Sequence, residues 1–145
     1  MNNRTYLLVG INAKYIHTSL AVRTLYAYVK SPRLSWREYN INEDVAAVCA
    51  DIYAQMADTI LFSCYRWNIE FIIRTARRLK QVAPETEIIF GGPEVSYAAQ
   101  EYMEKYSFID AVICGEGEET LKRIIETGTL NHFGVTYRDK TGRII

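Results

Sequence analysis

The sequence predicts an α/β domain with a doubly wound, mostly parallel five-stranded sheet and a C-terminal β-hairpin. Three observations favour this class. Short apolar runs alternate with helical patterns, no internal repeat or long linker interrupts them, and 145 residues suit a single domain. Strands that alternate with helices form parallel sheets with right-handed crossovers and helices on both faces. The predicted division is 1–130 for this domain and 131–145 for the hairpin.

Five apolar runs have the length of strands, and the third is predicted to be fully buried. Glycine follows the first run at Gly10, and Gly91-Gly92-Pro93 stops the fourth. The predicted strands are Tyr6–Val9, Trp36–Ile41, Thr59–Ser63, Glu87–Phe90 and Ala111–Cys114.

Between these runs, apolar residues recur at helical spacing, and Asn42 and Asn68 stand where N-caps are expected. A further helix is predicted at about 95–105, after the glycine pair. The tail predicts a hairpin whose arms, Phe133–Tyr137 and Arg143–Ile145, flank a turn at Asp139–Gly142. The predicted apolar helix faces are Val22, Leu25, Tyr26 and Val29; Val45, Val48, Cys49 and Ile52; Ile69, Ile72, Ile73, Ala76 and Leu79; and Leu121, Ile124 and Ile125.

Composition excludes several classes of function. Lys and Arg number 17, as do Asp and Glu, so the formal net charge is zero, whereas nucleic-acid binding usually needs a basic excess. Cys49, Cys64 and Cys114 are too far apart for zinc or iron–sulfur spacing. The odd cysteine count, the lack of a signal peptide and the lack of an apolar run of about 20 residues predict a cytoplasmic protein with no membrane partner.

Ligands of such sheets bind outside the carboxyl ends of the strands, so the loops after the strands are the candidate site. Gly91 and Gly92 allow close approach of a ligand to the backbone, or they form only a tight turn into a helix. The segment Gly115–Thr120 lacks the dinucleotide and P-loop patterns, and its acids favour a helix N-terminus.

The loop after the third strand joins polar and aromatic groups. Tyr65 and Trp67 could line a flat pocket and Ser63 could bond a ligand edge, or Trp67 only packs over the sheet and Asn68 only caps a helix. In the loop after the first strand, Lys14 could meet an anionic group, and His17 more simply marks entry into a helix.

Taken in order, the segments Val9–Thr18, Phe62–Glu70, Gly91–Ser96 and Gly115–Thr120 resemble the N-terminal cobalamin-binding domain of cobalamin-dependent radical SAM proteins. The resemblance implies a flavodoxin-like, Rossmann-like fold. It also implies a corrin ring over the strand ends and a lower nucleotide tail in a groove beside the sheet. By position it implies cobalamin contacts from Asn12, Lys14, Tyr15, Ser63, Tyr65, Trp67, Gly91, Gly92, Pro93, Gly115, Glu116 and Gly117.

Two departures from related patterns shape the functional hypothesis. Lys14 stands where the DxHxxG pattern of methionine-synthase-type domains has the histidine that binds cobalt, so we expect no histidine ligand. The CxxxCxxC pattern for a [4Fe–4S] cluster is also absent. The sequence therefore predicts a cobalamin-binding module that is not itself catalytic. The resemblance implies a parent protein whose C-terminal radical SAM domain holds the cluster and S-adenosylmethionine for radical chemistry such as methyl transfer.

Two alternatives remain open at this stage. The same fold could bind a flavin or a nucleotide, or it could serve as a cofactor-free regulatory module. A receiver-type module needs aspartates clustered at strand ends, whereas Asp58 precedes one strand and Asp110 starts another.

Overall fold

The computed structural model describes residues 3–14 and 19–145. Strands and helices alternate along the chain, as predicted. The elements are β1 Tyr6–Asn12, α1 Leu20–Val29, β2 Leu34–Asn40, α2 Val45–Ala54, β3 Thr59–Ser63, α3 Ile69–Val82, β4 Glu87–Gly91, α4 Ala99–Lys105, β5 Ala111–Ile113, α5 Glu118–Thr127 and β6 Val135–Tyr137.

The strands form one sheet in the order β2-β1-β3-β4-β5-β6, with β6 antiparallel to β5 and the other pairs parallel. This confirms the doubly wound α/β prediction, and the hairpin region contributes a sixth strand. The direction in which strands are added reverses at β1. The chain first adds β2 on one side of β1 and then crosses over to add β3 on the opposite side of β1. In open sheets, ligands bind beside such a switch point, at the carboxyl ends of the strands.

The alternation of side chains along the strands divides the core into two clusters. Leu7, Val9 and Ile11 face the cluster that includes buried residues of α2, α3 and α4. Tyr6 and Leu8 face the smaller cluster formed with α1 and α5. The sheet is therefore covered on both faces, and α1 and α5 lie side by side on one of them.

Several predicted boundaries were wrong by a few residues. Strand β2 begins at Leu34 instead of Trp36. The cap of α2 is Asp44 instead of Asn42, because the Asp44 carboxylate accepts a hydrogen bond from the Ala47 amide at 3.1 Å. Helix α4 begins at Ala99, since residues 92–98 form consecutive turns before it.

The C-terminal segment is part of the sheet. Tyr137 exchanges backbone hydrogen bonds with Ile145, and Arg138 forms a bridge to Ile144, so the predicted hairpin is present in a short form. The guanidinium of Arg138 also donates to the carbonyl oxygens of Met103 at 2.8 Å and Ile109 at 3.2 Å. These bonds attach the tail to the end of α4 and to the loop before β5.

Ending the chain at residue 130 is expected to lower the free energy of unfolding by about 3 kcal/mol or more. The reason is that Val135 and Tyr137 pack, partly buried, against the α1–α5 cluster, where full burial of an apolar side chain contributes about 1.5–3 kcal/mol, and that the pairing of β6 with β5 and the Arg138 bonds are lost as well. Urea denaturation followed by circular dichroism measures the effect. Arg143→Ala is the control, because its pair with Asp139 is exposed and worth little. Equal stability of the shortened and full chains would show that residues 131–145 are dispensable.

None of the helices in the described ranges combines the length and the apolar character needed to cross a membrane.

Candidate functional site

A groove of about 170 Å³ opens at the carboxyl edge of the sheet, between α1 and α5. Its floor is the sheet, which presents aliphatic side chains from β1, β3, β4 and β5. Its walls are the first turns of the two helices. The floor residues are Leu8, Leu61, Ile89 and Ile113, and the wall residues are Ala21, Leu25, Gly117, Glu118 and Leu121.

The mouth of the groove is formed by three of the predicted loops. It contains Ser63 and Tyr65 after β3, Gly91, Gly92 and Pro93 after β4, and Gly115 after β5. Together with Gly117 in the wall, seven of the twelve residues expected to contact a cofactor therefore surround one groove.

Gly92 has a φ of +101°, a conformation that only glycine adopts readily. A Cβ atom at this position would lie 2.5 Å from the carbonyl oxygen of Cys64 and 2.9 Å from its nitrogen. The group that approaches Gly92 is thus the backbone of the neighbouring loop. The glycine pair was expected either to let a ligand approach the backbone or to form a tight turn. The close contact with Cys64 shows that the turn requires glycine at position 92. The backbone of Gly92 also lines the mouth of the groove.

Ser96 joins two of the loops at the mouth, a role that sequence reasoning missed. Its hydroxyl donates to the Gly92 carbonyl oxygen at 2.8 Å and accepts from the Gly115 amide at 3.1 Å. The loops after β4 and β5 are therefore held in a fixed relation by one side chain. The only signal in the sequence was the position of Ser96 at the end of the Gly91–Ser96 segment.

Asn68 stands at the N-cap position of α3, as predicted, but its side chain forms no cap hydrogen bond with a helix amide. The side chain is 1% exposed and points back into the loops. Its amide nitrogen donates to the carbonyl oxygens of Ile11 at 3.0 Å and Ser63 at 3.2 Å. Its oxygen accepts from the Tyr65 amide at 2.7 Å. Asn68 therefore ties the end of β1 to the loop after β3.

Asn68→Ala is expected to lower the free energy of unfolding by about 3 kcal/mol, because it leaves buried backbone groups of both loops without partners. Urea denaturation measures this loss, and Asn131→Ala, an exposed position, is the control expected to change stability by less than about 0.5 kcal/mol. If both variants unfold at the same urea concentration, the three bonds of Asn68 do not hold the loops.

Trp67 does not line the groove. Its ring stacks on that of Tyr65 with centroids 5.5 Å apart and an angle of 12° between the planes, and Trp67 is 47% exposed. The stacked pair stands beside the mouth as a flat aromatic surface. Of the two residues predicted to line a flat pocket, Tyr65 lines the groove and Trp67 does not.

Of the predicted residues of the first loop, Asn12 and Lys14 do not line the groove. Asn12 is buried, and its amide nitrogen donates to the Glu38 carboxylate at 3.3 Å. Lys14 is exposed. Tyr15 and His17 lie outside the described residues.

Glu38 was not a candidate, yet it organises the start of α1. Its carboxylate accepts from the Ser19 backbone amide and, at 3.0 Å, from the Arg23 guanidinium. Ser19 caps α1, and its hydroxyl accepts from the Val22 amide. A carboxylate therefore already occupies the N-terminal end of this wall.

The N-terminus of α5 is also acidic. Glu118 and Glu119 lie in its first turn, and the predicted contact Glu116 is exposed in the loop before it. Glu119 accepts from the Tyr28 hydroxyl at 2.8 Å and from Arg123 at 3.3 Å, and the Tyr28 bond does most to lower the pKa of this carboxyl. The Tyr28 bond also joins α1 to α5, the two walls of the groove.

The full or partial burial of the three cysteines indicates structural roles for them. Cys64 is fully buried, and burial raises the pKa of its thiol, which makes it a poor nucleophile. Cys49 packs in the core as predicted, and Cys114 follows β5, partly buried. Within residues 3–14 and 19–145, His, Cys, Asp and Glu form no group of three or more that could hold a metal ion.

The groove suits an organic ligand with a flat apolar part. In another protein, an apolar cavity of about 150 Å³ binds benzene, so the groove has room for an aromatic ring. The glycines at its mouth leave space for a larger body outside, because a Cβ on Gly115 would meet no atom within 4 Å.

A family model described as the B12 binding domain matches residues 6–125, which include every element from β1 to α5 except its last two residues. The chain belongs to the B12 binding domain family.

Curated relatives of this B12 binding domain are methyltransferases. It is 27% identical over 135 residues to a cobalamin-dependent radical SAM methyltransferase, TokK, of Streptomyces tokunonensis, covering 89% of this chain and 19% of the relative. It is 25% identical over 138 residues to 2-(S-pantetheinyl)-carbapenam-3-carboxylate methyltransferase of Streptantibioticus cattleyicolor, covering 90% and 20%. The chain spans about a fifth of the length of these relatives.

Solved structures show the same fold. The cobalamin-dependent S-adenosylmethionine radical enzyme OxsB, with aqua-cobalamin and S-adenosylmethionine bound, superposes with a TM-score of 0.72 at 17% identity over 97% of this chain and 22% of that one. A cobalamin-binding protein from Desulfitobacterium hafniense gives a TM-score of 0.63 at 10% identity, covering 86% and 58%.

Proposed function

We propose that this B12 binding domain binds cobalamin, with the corrin ring over the strand ends and the base of the nucleotide tail in the groove between α1 and α5. The observation that carries this proposal is the groove itself. It combines an aliphatic floor, a mouth built from glycine loops and enough volume for an aromatic ring. Ser63, Tyr65 and the glycine backbones would contact the corrin side, and Ala21, Leu25 and Leu121 the tail.

The acidic helix N-termini argue against a flavin mononucleotide or a free nucleotide. The terminal phosphate of such a ligand typically binds at a helix N-terminus that offers free amides and a positive dipole. At α1 the Glu38 carboxylate takes the Ser19 amide, and at α5 Glu118 and Glu119 occupy the first turn. A dianionic terminal phosphate at either end of the groove would meet carboxylates, which repel it more strongly than they repel the singly charged phosphodiester of cobalamin.

The aspartates argue against a receiver-type regulatory module. Asp58 accepts from the Thr5 amide, and Asp110 pairs with Lys80 at 2.5 Å and accepts from the Ile88 amide. Both carboxylates therefore lie near the amino ends of the strands, at the edge opposite the groove.

The test is a titration of the chain with hydroxocobalamin, followed by absorbance and calorimetry, with flavin mononucleotide titrated in parallel. Saturable binding of one cobalamin, with no binding of the flavin, is the expected result. A chain that binds the flavin and not the corrinoid would overturn the proposal. The same titration of a chain extended toward the length of the relatives shows how much a neighbouring domain adds to the affinity.

We further propose that the domain serves a radical SAM partner domain in a longer protein, where a [4Fe–4S] cluster and S-adenosylmethionine would act. Its curated relatives support this, since they are several times longer and one is described as a radical SAM methyltransferase. When bound, cobalamin supplies the cobalt chemistry of group transfer, and the protein supplies position and environment. The residues of this chain hold the cofactor and exclude water from the tail.

Cobalamin is expected to bind without a histidine ligand from the protein. Lys14, which stands in place of that histidine, is exposed and does not line the groove. The ring of His132 lies 2.8 Å from the Thr127 hydroxyl and does not line the groove. The measurement is electron paramagnetic resonance of the cob(II)alamin complex prepared with nitrogen-15 histidine. A label-dependent splitting that disappears in His17→Ala would identify His17 as the ligand and refute the expectation.

A further inference from the structure

Over its floor and its α1 wall, the groove offers an aromatic ring no polar side chain. From the sheet it presents Leu8, Leu61, Ile89 and Ile113, and from the helices Leu25 and Leu121. The four sheet residues and Leu121 belong to the buried cluster on this face, and Leu25 packs against it. These residues are rigidly placed on strands and helices, so they cannot turn away to admit a polar partner.

The backbone groups around the mouth already have hydrogen-bond partners. The Ser63 carbonyl oxygen accepts from Asn68, and the Gly91 carbonyl oxygen accepts from the Cys64 amide at 2.7 Å. The Gly92 carbonyl oxygen and the Gly115 amide both bond to the Ser96 hydroxyl. The Gly115 amide is therefore already used as a donor, and each of these three carbonyl oxygens already accepts at least one hydrogen bond.

The polar side chains that line the groove lie at its open edge. Within the described ranges they are Ser63 at the end of β3, Tyr65 in the loop after it and Glu118 at the start of α5. In the proposed binding mode these side chains face the sugar or the corrin side chains of the ligand.

We infer that the groove selects corrinoids by their lower base, accepting a methylated benzimidazole and discriminating against a purine. This inference rests on the proposed binding of cobalamin. The outer edge of dimethylbenzimidazole carries methyl groups, which the leucines and isoleucines accommodate. Adenine carries an exocyclic amino group and additional ring nitrogens, which would lose their bonds to water and find no partner. Each buried polar group without a partner reduces affinity by about tenfold or more.

Three ligands test this on the unmodified chain by calorimetry: cobalamin, the corresponding corrinoid with an adenine base, and cobinamide, which lacks the nucleotide tail. The expected order is cobalamin tightest, with the adenine form and cobinamide each about tenfold or more weaker. Equal affinity for the two complete corrinoids would overturn the inference about the base. Equal affinity for cobinamide and cobalamin would place the tail outside the groove, which overturns the inference and the proposed position of the tail, while the proposed binding of cobalamin stands. Failure of every corrinoid to bind would overturn the proposed function as well.

A substitution in the α1 wall tests whether the groove is the source of this selectivity. Leu25→Gln places an amide in the wall and is expected to reduce the preference for cobalamin over the adenine form by about threefold or more, because it offers the amino group a partner. Leu20→Gln is the matched control, because Leu20 lies on the same helix, is 77% exposed and does not line the groove. If the preference in Leu25→Gln equals that in Leu20→Gln, the base does not contact the α1 wall and the inference is wrong.

Discussion

Replacing Gly92 with alanine is expected to lower the free energy of unfolding by about 3 kcal/mol or more. Two physical effects add at this position. The positive φ of +101° is unfavourable for any residue with a Cβ atom. The added carbon would also lie 2.5 Å from the carbonyl oxygen of Cys64, so the backbone of one loop must move. Thermal and urea denaturation followed by circular dichroism measure the loss.

Gly115→Ala is the matched control, because it separates the two effects. Gly115 also has a positive φ, of +76°, but a Cβ there would meet no atom within 4 Å. We expect this variant to lose only about 1 kcal/mol, from backbone strain alone. Equal losses at the two positions would show that the contact between the Gly92 and Cys64 backbones contributes nothing.

Ala21→Phe is expected to weaken cobalamin binding by about 30-fold or more, which corresponds to about 2 kcal/mol. Ala21 lines the α1 wall, so a phenyl ring at this position would occupy space that the proposal gives to the nucleotide base. Cobinamide has no such base and is expected to bind the variant and the unmodified chain equally. Isothermal titration with both ligands measures the difference.

The same substitution at Ala27 is the control, since this residue lies on the same helix and is exposed outside the groove. Ala27→Phe is expected to leave both affinities unchanged. A loss of cobinamide binding in Ala21→Phe would mean that the substitution disturbs the corrin side. Unchanged cobalamin binding would show that the tail does not enter the groove.

The element order and the sheet could be predicted because they follow from local patterns. Runs such as Thr59–Ser63 are apolar because both faces of the sheet are covered, and the spacing of Ile69, Ile72 and Ile73 marks a helix face directly. The glycines at the carboxyl edge were predictable for a similar reason. Topology alone brings the loops after β3, β4 and β5 together.

The side chains that fix these loops could not be predicted in the same way. Asn68 bonds to Ile11, which is 57 residues away, and Ser96 bonds to Gly115, which is 19 residues away. Such bonds depend on the tertiary approach of two loops, and they leave no period in the sequence. Asn68 does occupy the N-cap position of α3, but local preference predicts a side-chain bond to a helix amide and gives no sign of the bonds to Ile11 and Ser63.

The bonds of Asn68 and Ser96 have a consequence for the thermodynamics of ligand binding. Loops at a binding edge often become ordered only when the ligand arrives, and fixing each backbone residue then opposes binding by about 1–2 kcal/mol. Here the amides of Cys64, Tyr65 and Gly115 are already bonded within the protein. These three loops are preorganised, so little of the interaction energy is spent on ordering them, and the entropy of binding there is dominated by water released from the aliphatic groove.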